Sequence, residues 1–153
     1  MKEKNFNIVL VHPQIPNNTG NIGRLCVGSQ SKLHLVKPLG FEITDARVKR
    51  AGLDYWDDLD LSYYDDMEAL IQSVPDMSRM FFFTTRASCD YYDIQFEKGD
   101  WLIFGRESDG LPPELVQRFS NQCVKIPFPG KVRSFNLSNA VAMALGEGLR
   151  QFR

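Results

Sequence analysis

The sequence has 153 residues, 43% of them hydrophobic and 24% charged, with a formal net charge of −1; that length fits a single domain over residues 1–153 with a buried core. A charge so close to zero excludes a non-specific nucleic-acid coat, so any RNA contact must come from a local basic patch. No stretch approaches the ~20 apolar residues of a membrane helix, and polar Met1 to Asn7 precedes an apolar run too short for a signal peptide, so a cytoplasmic location is expected.

Asn7 to Val11 is a short β-branched run and reads as a buried strand, ended by Pro13 and Pro16. Asn17 to Gly20 offers several helix N-caps, and the spacing predicts a helix to about Gly28 with Ile22, Leu25 and Cys26 on one face. Lys32 to Val36 reads as the second strand. Asp45 can cap a short helix to about Ala51, Leu61 to Tyr64 forms a short strand, and Asp65 or Asp66 starts a helix to about Val74. Met80 to Phe83 and Trp101 to Phe104 are the most apolar strand candidates. A helix opens at Pro112 to Leu115, where proline is tolerated in the first turn. Val124 to Ile126 is the last strand. Leu137 to Phe152 is the last helix, with Leu137, Val141, Leu145, Leu149 and Phe152 on one stripe.

Strands alternating with helices predict an α/β domain, a mostly parallel sheet flanked by helices. Ligands in such sheets bind beyond the carboxyl ends of the strands, so the connecting loops are where chemistry is sought. Cys26, Cys89 and Cys123 form no CxxC pair, and His12 and His34 are the only histidines. Reduced thiols and no metal site are therefore expected.

Three loops carry unusual composition. The first, His12 to Arg24, holds asparagines and a threonine suited to helix capping, and Arg24 lies about a turn and a half inside the expected helix. A guanidinium there suits a phosphate or a developing oxyanion; a capped helix with a surface arginine is the alternative. The second, Gly105 to Pro112, frames polar residues with two glycines and offers Glu107 to orient a ligand; an ordinary tight turn is the alternative. It is neither a P-loop nor a dinucleotide fingerprint. The third, Ile126 to Asn139, clusters Ser134, Asn136 and Ser138 at a helix start; redundant capping is the alternative. The last helix also carries Ala140, Ala142, Ala144, Gly146 and Gly148. Helical glycines each cost roughly 1 kcal/mol relative to alanine, which suggests close packing within the chain or across a dimer.

Taken together, Ile15 to Arg24, Phe104 to Pro112 and Arg133 to Ala140 resemble the three ordered motifs of the SPOUT superfamily, within its TrmH-like 2′-O-methyltransferase branch. Within that branch the likeness is greatest to the TrmL group of tRNA (cytidine/uridine-2′-O)-methyltransferases, and Arg50 to Trp56 is similar to a stretch typical of that group. The likeness runs nearly the whole chain. It implies a deep C-terminal trefoil knot, a homodimer, and S-adenosylmethionine as methyl donor with no metal. It implies methylation of the ribose of the wobble nucleotide of tRNA, cytidine 34 or modified uridine 34, with the anticodon loop as partner. Carried residue by residue, the resemblance points to Phe83, Thr84, Gly105, Ile126, Ser134 and Leu137 around the donor, to Glu107 and Asn136 lining the active site, and to Arg24 as activator of the hydroxyl. Phe135 stands where relatives often carry Met or Leu, and Gly146 where some carry a Tyr, so no role of that Tyr transfers.

For the RNA, Arg47, Lys49 and Arg50 cluster, as do Lys131 and Arg133, with Arg86 separate; these charges suit phosphates, and Tyr55 and Trp56 suit base stacking. Other readings stay open: another tRNA or rRNA ribose as target, a non-catalytic knotted RNA-binding protein, or a flavodoxin-like nucleotide binder.

Overall fold

The structure, a computed structural model, describes residues 3–51 and 55–153; Gly52, Leu53 and Asp54 of the Arg50-to-Trp56 stretch lie outside the described residues. Six strands form one sheet: β1 (Phe6–Val11), β2 (Lys32–Val36), β3 (Leu61–Tyr64), β4 (Met80–Phe83), β5 (Asp100–Phe104) and β6 (Cys123–Val124). Their order is β3-β2-β1-β5-β4-β6, and every pairing is parallel. Five α-helices connect them: α1 (Pro16–Gly28), α2 (Ala46–Ala51), α3 (Met67–Ser73), α4 (Pro113–Arg118) and α5 (Leu137–Gln151). The α/β class with a parallel sheet stands as the sequence predicts.

Alternate residues of the central strands feed two cores, the expected period of a strand buried on both faces. Ile8, Leu10, Leu33, Leu35, Leu102 and Phe104 face one side, under Ile22 and Cys26 of α1 and Val141 and Leu145 of α5. Val9, Val11, Val36, Phe82 and Ile103 face the other, under Leu70 and Ile71 of α3 and Leu115 of α4. Gly148 answers the question of the small residues in α5: a Cβ there would fall 2.3 Å from the Phe6 ring, so the helix needs a glycine to lie flat on β1. Phe6 in turn stacks on Phe152 with ring centroids 5.1 Å apart.

Two local starts differ from the sequence reading. Helix α1 begins at Pro16, with Ile15 at its N-cap and no side-chain cap from its own segment, rather than at the asparagines. Proline supplies a fixed φ and has no N–H to satisfy, so it takes the first helical position. Arg24 is consequently the ninth residue of the helix, more than two turns in. The last strand is Cys123–Val124 and not Val124 to Ile126, because β4 offers partners only at Phe82 and Phe83.

Buried polar groups are paired in long-range clusters. Asp100, 1% exposed, accepts from Arg79 at 2.8 and 2.6 Å and from the Glu97 N–H at 2.8 Å. His34 lies between Asn7 and Tyr64, 2.9 Å from each. The Asn7 amide nitrogen donates to the Gly99 carbonyl, so its oxygen faces His34 and must accept from the Nε2–H. Nδ1 of the neutral ring then accepts from the Tyr64 hydroxyl. Burial, helped by the charge of Lys32, pushes the His34 imidazole down to about 3 from 6.5. Because the folded value lies below the unfolded one, the stabilisation is complete above pH 6.5 and is lost as pH falls toward 3. The midpoint of urea unfolding should therefore fall as pH is lowered from about 6.5 to 4, and less steeply in a His34→Gln variant, which does not titrate. An unchanged slope in that variant would assign the acid sensitivity elsewhere.

Candidate functional site

The carboxyl ends of β4, β5 and β6 are neighbours in the sheet, and the loops that leave them enclose a cavity of about 820 Å³. Phe83, Thr84, Gly105, Ile126, Ser134 and Leu137, the six residues expected around a donor, all line it. Phe83 and Phe104 stack at 4.7 Å to form an apolar floor, and the Thr84 N–H closes the base by donating to the Val124 carbonyl. Exposed Phe128, against Phe135 at 4.5 Å edge-to-face, forms part of the outer wall with Val132.

The second loop is a closed turn. Arg106 and Gly110 exchange backbone hydrogen bonds at 3.3 and 3.0 Å, and Gly110 takes a φ of 75°. A Cβ on Gly105 would lie 2.0 Å from the carbonyl carbon of Gly110, so only glycine lets the strand end press against the returning turn. Arg106 grips Asp109 through two bonds, 2.5 and 2.8 Å, and Ser108 adds a third at 2.9 Å, which hold the Asp109 carboxyl down at about 2.

Glu107 is only half-buried, yet both of its oxygens are occupied. Oε1 accepts from the Gln14 N–H and Oε2 from the Ile15 N–H, each at 2.8 Å, and Oε2 also from the Asn18 amide at 3.3 Å. The missing cap of α1 is thus supplied from 93 and 92 residues downstream of Gln14 and Ile15, as a carboxylate at the positive end of the helix. Asn18 passes the connection on, since its carbonyl oxygen accepts from the Asn136 amide at 3.3 Å. Asn136 caps α5 with its own oxygen, which accepts from the Ser138 and Asn139 N–H groups at 2.9 and 3.3 Å. Gln14 completes the bracing by accepting from the Ser108 N–H at 3.0 Å. All three sequence motifs are therefore tied by side-chain amides and one carboxylate.

Arg24 is not drawn into the cavity wall. It is exposed on α1, with its guanidinium 4.9 Å from the Tyr55 ring centroid, a cation–π contact that restrains it. Of the basic residues singled out for RNA, Arg86 and Arg133 line the cavity, and Lys131, close to Arg133 in the chain, is exposed. Arg47 and Arg50 are exposed on α2, apart from that pair, and Arg47 is held by Asp45 at 2.9 Å. The side chain of Lys49 lies outside what is described. The linking roles of Asn18 and Gln14 were missed by sequence reasoning; the only local signal was a second asparagine at a helix start, and nothing there reveals a partner 89 residues away. Among the described residues no group of His, Cys, Asp and Glu side chains is arranged to hold a metal, and no helix is long and apolar enough to cross a membrane.

Comparison with known proteins fits this arrangement. The SpoU rRNA Methylase family model matches residues 5–146. A tRNA (cytidine(34)-2′-O)-methyltransferase of Burkholderia cenocepacia (strain HI2424) is 49% identical over 148 residues, 95% of this chain and 95% of that protein. A solved structure concerned with the 2-OH methylation of C/U34 on tRNA superimposes with a TM-score of 0.92 at 44% identity, covering 96% of this chain and 95% of its own. An AdoMet-bound rRNA methyltransferase from Sinorhizobium meliloti, 24% identical, shares the fold with a TM-score of 0.87 over 99% of this chain and 58% of its own. Matched over most of its length by the family model and by close relatives, the chain belongs to the SpoU methylase family.

Proposed function

We propose that this chain is an S-adenosylmethionine-dependent tRNA 2′-O-methyltransferase acting on the ribose of the wobble nucleotide, cytidine 34 or modified uridine 34. One observation carries the reading: the second and third motif loops, with the loop after β4, enclose one cavity, and the first motif is tied to them by Glu107, Asn18 and Asn136. The relative 49% identical along 95% of both chains supports the choice of nucleotide.

The residues fit the donor. A volume of about 820 Å³ is in the range of sites for small ligands. Phe104, Ile126 and Leu137 offer apolar surface for a nucleoside, and Phe83 at the end of β4, with Gly105 and Ile126 in the loops after β5 and β6, presents backbone polar groups beside it. S-adenosylmethionine, when bound, supplies a methyl group already activated on a sulfonium. The task left to the protein is to align a ribose 2′-hydroxyl and to stabilise the negative charge that grows on its oxygen.

Arg24 is assigned the second task. A guanidinium does not readily lose its proton, so it acts as an electrostatic activator and not as a general base. Glu107 and Asn136 are positioning residues in this scheme, because their polar atoms are engaged in holding the helix starts. The proposal takes residues 1–153 as one domain, threaded into the C-terminal trefoil knot of the SPOUT fold and located in the cytoplasm with its tRNA. It also takes the working form as a homodimer. Supporting that, Gly146 has open space where a Cβ would point, and Ala142 and Met143 are exposed on the same helix, so one side of α5 is uncovered in the single chain.

Three outcomes test this. Arg24→Ala should retain donor affinity by calorimetry while kcat on tRNA falls by roughly a hundredfold or more; near-normal turnover would remove the role. Glu107→Ala leaves the Gln14 and Ile15 N–H groups without their acceptor, so unfolding should cost about 1–3 kcal/mol less and the KM for the donor should rise. An unaltered urea midpoint would contradict the capping role. Gly146→Arg should shift the sedimentation coefficient from dimer to monomer without unfolding the chain; a persistent dimer would exclude that face.

A further inference from the structure

A second cavity, of about 720 Å³, adjoins the first and shares with it a wall that includes Thr85, Arg86, Arg106 and Arg133. Its remaining lining includes His12, at the end of β1, and the turn leading into α4. Three arginines converge on this space, and their engagements differ. Arg106 is neutralised by Asp109 through two hydrogen bonds. Arg86 is held by a bond from its Nη2 to the Leu111 carbonyl at 3.1 Å, which spends one donor, and among the described residues no carboxylate pairs with it. Arg133 is exposed and, among the described residues, has no ion-pair partner. Glu114 is the one further carboxylate in the lining, so cations outnumber free anions there. His12 Nδ1 is buried and, among the described residues, without a hydrogen-bond partner, on a residue held at a φ of 57°. Backbone held in the left-handed region by a non-glycine residue is costly and tends to mark functional positions.

We infer that this second cavity is the seat of a phosphodiester of the RNA, the one joined to the 3′-oxygen of the ribose being methylated, held by Arg86 and Arg133. The inference rests on the methyltransferase reading of the first cavity. In RNA the 2′-hydroxyl and the 3′-phosphodiester are carried by adjacent ribose carbons, so a protein that brings the hydroxyl to a donor must accept an anion immediately beside it. A cavity sharing its arginine wall with the donor cavity meets that demand, and guanidinium groups match phosphate oxygens in geometry as well as charge. The α2 basic residues Arg47 and Arg50 stand apart from this wall, and under the inference they contact more distant phosphates.

The test uses the full chain and an anticodon stem-loop RNA in which the linkage 3′ to nucleotide 34 is a neutral formacetal, with the same replacement elsewhere in the loop as control. For the unaltered protein the 3′ replacement should lower kcat/KM by about tenfold to a hundredfold, the worth of a charge-assisted contact, and the control replacement by much less. Arg86→Gln and Arg133→Gln should each lower activity on the natural RNA and lose little more on the formacetal RNA. Arg133→Gln removes no described hydrogen bond, so it remains informative if Arg86→Gln fails to fold; its salt dependence of RNA binding should drop by about one phosphate contact. A merely structural role, or contact with the donor alone, would give losses that multiply with the formacetal. Such multiplication, or indifference of the unaltered protein to the neutral linkage, would overturn the inference while leaving the methyltransferase reading intact. Absence of methylation on the natural RNA would overturn both.

Discussion

The structure depends on one hydrogen-bonded relay, from Glu107 through Asn18 to Asn136. Each link closes a gap of about a hundred residues or so in the chain, and each end performs a helix-capping duty. Helix α1 starts with a proline after an isoleucine, so its own sequence leaves the Gln14 and Ile15 N–H groups with no acceptor nearby. Glu107 answers both, and can do so only if the turn from Gly105 to Gly110 is folded against the end of β5. Capping energy that an isolated helix would draw from its neighbours in sequence is here drawn from the opposite half of the protein. The helix start and the turn that lines the cavity are consequently braced by the same bonds.

This coupling explains which parts were legible from the residues alone. Lys32–Val36 and Leu61–Tyr64 emerge with the ends the sequence predicts, because apolar runs bounded by turn residues specify a strand locally. Asp66 and Asp45 behave as expected caps, accepting from Ala69 and Arg47 N–H groups within their own segments. The start of α1 differs from the sequence reading because Pro16 takes the first helical position and the cap comes from distant Glu107, and β6 is short because β4 offers it partners only at Phe82 and Phe83. Composition drew attention to the three loops, yet their convergence came only with the family resemblance. Nothing in hydrophobic periodicity distinguishes a threaded chain from an unthreaded one.

The two cavities also clarify the division of labour among charges. Arg106 is the arginine most conspicuous in the second motif, but its pairing with Asp109 makes it part of the turn. Arg86 stands apart from the other basic residues in the sequence, lying alone after a pair of threonines, and it reaches both cavities. A near-neutral protein can in this way present a small positive surface where three segments meet, without the basic tracts that mark nucleic-acid proteins in general.

The sheet itself limits how its ladder could be extended. Its outermost members are β6, only two residues long, and β3, four residues long with Asp60 and Asp65 at its flanks. Such short outer strands give a foreign β-segment little rim along which to continue the ladder, and the charges beside β3 further discourage it. Strand addition is thereby disfavoured, which leaves the ladder finite and the protein poorly suited to fibrous growth.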